Sequence, residues 1–156
     1  VIAGKAVAFG EALKPEFKLY CNKIVKNAFI LANELSNYGY ELVSGGTDTH
    51  IVLLDISKSG VTGKKAEIAL EKAGITTNKN MVPFDKRGPM ITSGIRIGTP
   101  AITTRGMGID EMKTIARLID TVIKHVDSDS VILNVRSEIT ELCNLFPLYE
   151  NLNEMS

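Results

Sequence analysis

The sequence has few of the residues that build metal sites or disulfide frameworks. Its 156 residues include two cysteines, two histidines and no tryptophan. Since Cys and His do not cluster, we predict no metal site. Cys21 and Cys143 each fall on the apolar face of a helical pattern, which is typical of buried, reduced thiols and not of a disulfide.

Net charge and long apolar runs are also lacking. The 18 basic residues balance the 18 acidic ones, which gives no electrostatic reason to predict binding to nucleic acid or to a membrane. Apolar runs such as IVLLDI are far shorter than a bilayer span, and no segment resembles a secretory signal, so a cytoplasmic location is predicted. The chain opens in VIAGKAVAFGEAL without an initiator methionine, which favours a start inside a longer protein.

Hydrophobic periodicity predicts an α+β fold with a small, mostly antiparallel sheet covered on one side by helices. The predicted helices cover 1–13, 15–38, 63–73, 112–126 and 132–146, and the predicted strands cover 40–43, 51–56 and 94–98. The first two helices have no obvious partner strand. We therefore predict a helical arm or bridge at 1–38, an α+β domain at 39–147 and a loosely held tail at 148–156.

The segment 74–106 combines glycine, proline and threonine with arginine and lysine, which is typical of a binding loop held between rigid elements. Within it Arg96 lies in an alternating strand between Gly94 and Gly98. A guanidinium in such a place can bind a carboxylate through two parallel hydrogen bonds. Periodicity alone favours the alternative that Arg96 pairs with an acidic neighbour at the sheet edge.

Two other polar segments have a binding and a structural interpretation. Asn80, in the segment TNKN, could hydrogen-bond the edge of a heterocycle, and Phe84 could cover an aromatic ring. The residues alone favour the alternative, a solvated turn with Asn and Pro placed for backbone reasons. The segment Ser44–His50 is best interpreted as a polar turn between two strands. Lys79 and Lys86 lie in a polar loop, without the desolvation that a catalytic lysine needs.

Together these segments resemble the C-terminal third of serine hydroxymethyltransferase. The resemblance is carried by VIAGKAVAFGEALKPEF, LVSGGTDTH, GITTNKNMVPFD and TSGIRIGTPAITTRGM, in the family's order and spacing. It implies a domain like the C-terminal domain of fold-type I pyridoxal-phosphate enzymes. It also implies a transferase of one-carbon metabolism that converts serine and tetrahydrofolate into glycine and 5,10-methylenetetrahydrofolate.

The resemblance also implies roles for individual residues. Arg96 would bind the carboxylate of serine or glycine, and Asn80 would hydrogen-bond the pterin of tetrahydrofolate. The remaining folate-pocket residues would be Phe84, Arg87, Gly88, Pro89 and Met90. Asp48 and His50 would support the fold.

One departure from the family limits what this chain can do. The family's cofactor-binding lysine lies in a T-T-H-K-T segment, which does not occur in this sequence. The resemblance therefore implies that no catalytic residue lies in this chain, that the chain alone binds no cofactor and is inactive, and that it joins a large N-terminal domain in a homodimer. The alternative is a stand-alone, non-catalytic α+β domain that binds a ligand or serves assembly.

Overall fold

A computed structural model of the chain describes residues 1–148, so the predicted tail lies outside the described residues apart from Leu148. The described residues form six α-helices and a four-stranded sheet. The helices are α1 (Ile2–Ala12), α2 (Pro15–Asn37), α3 (Gly63–Lys72), α4 (Pro100–Thr104), α5 (Ile109–Lys124) and α6 (Asp129–Leu145). The strands are β1 (Glu41–Leu42), β2 (Ile51–Asp55), β3 (Asn78–Asn80) and β4 (Gly94–Gly98).

The sheet has the strand order β1-β2-β4-β3, and each neighbouring pair is antiparallel. Its inner face carries four buried side chains, which are Val52, Leu54, Ile95 and Ile97. These side chains join a single hydrophobic core with residues of α2, α3 and α5. The predicted α+β class, with a small antiparallel sheet covered by helices, is thus confirmed.

Helices α2 and α5 form the largest helix pair of the core. Leu31 and Leu35 of α2 and Ala116 and Ile119 of α5 are completely buried. Their spacing of three to four residues is the helical period that predicts both elements from the sequence.

Two short elements differ from the sequence prediction. Residues 78–80 are predicted as loop but form β3, because pairing with β4 gives a three-residue polar segment its strand partner. Residues 100–104 form α4, and Pro100 at its first turn is compatible with a helix start.

The N-terminal helices differ in burial along their length. None of the residues that the structure describes in α1 is buried, and Phe17 near the start of α2 is 41% exposed. From Ile24 onward α2 enters the core. The predicted division between an arm at 1–38 and a domain at 39–147 stays a prediction, because α2 contributes both to the exposed arm and to the core.

Candidate functional site

Strand β4 presents Arg96 on the open face of the sheet. The neighbouring Ile95 and Ile97 point into the core, so strand alternation directs Arg96 to the opposite face, where it is exposed. Leu53 of β2 lies directly opposite on one side and Asn78 of β3 on the other. Within residues 1–148, Arg96 makes neither an ion pair nor a side-chain hydrogen bond, so the predicted alternative of an acidic partner has no counterpart there.

Strand β3 places two asparagines beside this arginine. Asn78 pairs with Arg96, and Asn80 pairs with Gly94, so alternation puts both asparagines on the same face as Arg96. Asn80 is half-buried, and its Nδ2 donates to the Met81 carbonyl over 2.7 Å. Its carbonyl oxygen Oδ1 makes no hydrogen bond with the described residues and remains an acceptor for a ligand.

The lysine between the two asparagines points the other way. The backbone N–H of Lys79 donates to Glu67 Oε1 over 2.9 Å, and Lys79 Nζ lies 3.3 Å from Glu67 Oε2. Helix α3 therefore holds Lys79 in an ion pair on the helix-covered face. A lysine engaged in this ion pair is not free to act as a nucleophilic amine.

Gly94 allows the chain to fold closely over the sheet. A Cβ at this position would lie 2.7 Å from Val82 Cγ1, 2.8 Å from the Leu54 carbonyl oxygen and 2.9 Å from the Asn80 carbonyl oxygen. Val82, which such a Cβ would meet, is buried. The absent side chain of Gly94 thus permits close packing next to the candidate site.

Asp85 stabilises the loop between β3 and β4 through hydrogen bonds. Its carboxylate accepts four hydrogen bonds: from Ser93 Oγ (2.6 Å), from the backbone N–H of Ser93 (2.8 Å), from that of Arg87 (2.9 Å) and from that of Val82 (3.3 Å). Burial alone would raise the pKa of Asp85, but these bonds stabilise the charged form and lower the pKa to about 2. Since Ser93 immediately precedes β4, Asp85 ties the loop to the strand that carries Arg96.

The loop contains the residues from 84 to 90 that are predicted to line a folate pocket, and they differ in exposure and in hydrogen bonding. Phe84 is 100% exposed and has a φ of 58°, a left-handed conformation that is uncommon for a bulky residue. Met90 is 71% exposed, and Gly88 and Pro89 are exposed as well. Arg87 instead donates from Nη1 to the Val61 carbonyl over 2.9 Å, so part of its guanidinium holds the loop. Phe84 and Met90 are the most exposed apolar side chains of the loop, and Met81 and Ile91 are partly exposed beside them in the sequence.

The turn between β1 and β2 is polar, as predicted. Its backbone has positive φ at Ser44, Gly45 and Gly46 in succession. Thr47 Oγ1 then donates to the Ile51 carbonyl over 2.6 Å and accepts from the backbone N–H of Thr49. The hydroxyls therefore stabilise the turn itself.

Sequence reasoning missed Asp85 and overestimated the burial of the cysteines. Aspartate followed by a donor two residues later is a known local turn signal, which would have identified the bond to Arg87 but not the bonds to Ser93. Cys21 and Cys143 are free thiols and only half-buried. Residues 1–148 contain no group of His, Cys, Asp and Glu suited to a metal ion, and none of their helices is long and apolar enough to span a membrane.

The chain matches a known protein family over most of its length. The model of the family described as serine hydroxymethyltransferase matches residues 1–119. The matched region includes the whole sheet and the β3–β4 loop, and it ends within α5. Helix α6 lies beyond it.

Proposed function

The chain belongs to the serine hydroxymethyltransferase family, and we propose that it is the C-terminal part of an enzyme that moves a one-carbon unit between serine and tetrahydrofolate. The enzymes of this family are transferases that use pyridoxal phosphate and tetrahydrofolate. In this proposal the chain supplies the part of the site that binds the substrate carboxylate and the folate. The covalent chemistry belongs to residues outside it.

The observation that carries the proposal is the shared open face of β3 and β4. Arg96 and Asn80 lie diagonally across the paired strands, a spacing of roughly 7–8 Å for such neighbours. Arg96 offers a planar pair of donors that matches a carboxylate, and Asn80 offers both a donor and an acceptor. This combination suits an amino acid, whose carboxylate would meet Arg96, bound beside a heterocycle, whose polar edge would meet Asn80.

The β3–β4 loop would extend the site toward the folate. Phe84 and Met90 supply exposed apolar surface for a flat ring, and the Asp85 bonds restrict the conformations that the loop adopts. Less conformational entropy is then lost when a ligand binds. The segment from Arg87 to Pro89 would form the outer edge of the pocket.

The residues of this chain do not fit a complete pyridoxal-phosphate site. Such a site needs a lysine held away from water, and none of the lysines in residues 1–148 is buried. The least exposed of the described lysine side chains that form ion pairs is Lys79, and its ion pair with Glu67 lies on the face of the sheet opposite Arg96. The chain would thus meet the cofactor only through the substrate bound to it.

The exposed apolar side chains of α1 and of the residue after it are evidence that this part of the chain packs against another domain. Val7, Phe9 and Leu13 are between 62% and 88% exposed, which is unusual for three neighbouring large side chains of a single domain. We infer that this surface packs against a preceding large domain of the same protein, within a homodimer in the cytoplasm. Serine, glycine and tetrahydrofolate would be its small-molecule partners.

The test compares two arginine variants of the full-length protein. Arg96→Lys keeps the charge but loses the planar pair of donors, so we expect serine affinity to fall by about one to two orders of magnitude, for a loss of about 1.5–3 kcal/mol. Arg117→Lys is the matched control, because Arg117 bonds Glu138 over 2.7 Å at the exposed surface between α5 and α6. Calorimetric titration with serine measures both variants.

Two outcomes would overturn the proposal. Unchanged serine affinity in Arg96→Lys would show that Arg96 is not the carboxylate ligand. Serine binding by the isolated chain as tight as by the full-length protein would favour the alternative, a stand-alone ligand-binding domain.

A further inference from the structure

A chain of buried hydrogen bonds joins α2 to the helix that follows Arg96's strand. Asn27, on α2, is only 4% exposed. Its Nδ2 donates to Thr103 Oγ1 over 2.9 Å and to the Met107 carbonyl over 3.0 Å, so both amide protons bond to α4 and the turn after it. Thr103 Oγ1 in turn donates to the Thr99 carbonyl over 2.8 Å.

Thr99 connects this chain of bonds to the end of β4. It is the first residue after the strand and is completely buried. Its Oγ1 donates to the Ile24 carbonyl of α2 over 2.9 Å, and its backbone N–H donates to the His50 carbonyl over 3.2 Å. Thr99, three residues after Arg96, is therefore bonded to α2 directly and also through Thr103.

Directional bonds at this place add a constraint that apolar packing does not supply. The neighbouring Ala28 and Leu31 already bury α2 against the core, and such contacts tolerate small sliding movements. Hydrogen bonds instead fix distance and angle, and leaving any of these buried groups unpaired is costly. The bonds thus set where β4 ends relative to α2.

We propose that Asn27 is a positioning residue for Arg96: it bonds the Thr99–Met107 segment to α2 and so holds the guanidinium where the substrate carboxylate is bound. This inference rests on the proposed function. Asn27 touches neither substrate nor cofactor and acts through Thr103, Thr99 and β4.

The consequence is specific to the carboxylate. If β4 shifts, Arg96 meets a carboxylate poorly, while the amino group of the ligand, which Arg96 does not bind, is unaffected. Small misplacements of a binding group reduce its effect steeply. Loss of the Asn27 bonds should therefore weaken ligands that have a carboxylate and spare those that lack one.

The experiment measures the affinities of glycine and methylamine for the full-length protein loaded with pyridoxal phosphate, by calorimetric titration. Asn27→Leu keeps the branched shape of the side chain but removes both donors, and Thr103→Val removes the hydroxyl that comes next in the chain of bonds. In each variant we expect the ratio of glycine to methylamine affinity to fall about tenfold, with methylamine affinity unchanged. Because the two variants cut one path, their combination should lower the ratio by less than the product of the single effects.

Controls separate positioning from loss of stability and from failure of the proposed function. Tyr40→Phe removes another buried hydrogen bond, to Asp120 of α5, and should leave the ratio unchanged. Arg96→Lys must lower the ratio, and if it does not, the proposed function itself is wrong. If Arg96→Lys lowers the ratio while Asn27→Leu and Thr103→Val keep it, or weaken both ligands equally, the positioning role is refuted. Should Asn27→Leu fail to fold, Thr103→Val decides the matter.

Discussion

Removing the Asp85 carboxylate should loosen the β3–β4 loop without unfolding the domain. The core on the inner face of the sheet does not depend on this side chain, whereas four loop donors do. In Asp85→Ala those donors must turn to water or stay unpaired. The expected defect is therefore local.

The size of the effect follows from the number and charge of the bonds. A hydrogen bond to a charged group contributes about 1.5–3 kcal/mol, but partial exposure and the freedom of the loop to relax reduce the sum. We expect opening of the loop to become easier by about 1.5–3 kcal/mol, which corresponds to amide exchange about 10- to 100-fold faster. The amides of Ser93 and Arg87 report this change directly.

The stabilisation of the loop by the Asp85 carboxylate should depend on pH. Because the folded pKa is lowered to about 2 from an ordinary value of 3.8, the contribution of Asp85 is fully present above pH 3.8. It is lost as the pH falls through about 2. Protection of the Ser93 amide, corrected for intrinsic exchange, should fall over this interval.

Hydrogen exchange of the isolated chain, followed by NMR, tests these expectations. Asp48→Ala is the matched control, because Asp48 lies exposed in the turn before β2 and its side chain makes no hydrogen bond with residues 1–148. Exchange at Ser93 and Arg87 that is equal in Asp85→Ala and the wild type would refute the role of the carboxylate.

Three further predictions concern packing, a buried tyrosine and the lysines. Gly94→Ala should destabilise the chain by about 1–3 kcal/mol in urea titration, because its Cβ would contact backbone, whereas Gly10→Ala, with open space around it, should not destabilise it. Tyr40→Phe should lower the free energy of unfolding by about 1–2 kcal/mol in the same assay, because the hydrogen bond to Asp120 is lost. In the wild type, burial and the nearby Asp120 charge raise the Tyr40 pKa. An absorbance titration should therefore show that the Tyr40 phenol stays protonated at pH values where ordinary tyrosines ionise. Borohydride reduction of the isolated chain with pyridoxal phosphate should label no single lysine stoichiometrically, and peptide mapping that found one such lysine would contradict the account.

Local patterns in the sequence predict most of the fold. The apolar stripes of α2 and α5 have the helical period, and the alternation in GIRIG sends Arg96 to one face and the two isoleucines to the other. The glycine stops at Gly39 and Gly74 coincide with positive φ angles just after helices. Each of these features is decided within a few residues of chain.

Features that depend on distant partners could not be predicted in the same way. Residues 78–80 form a strand only because β4 pairs with them, and their own composition is typical of a turn. Asn27 looks like an ordinary polar residue of a helix, since Thr103, which accepts its hydrogen bond, lies 76 residues away. Ser93 likewise gives no local sign of its bonds to Asp85.

The most direct test of the account is a crystal structure of the full-length protein with glycine or serine bound. We predict that the ligand's carboxylate lies on the open face of β4 and accepts two parallel hydrogen bonds from Arg96, at about 2.7–2.9 Å. A carboxylate bound by other residues, with Arg96 in solvent or paired with a protein acid, would contradict the central claim.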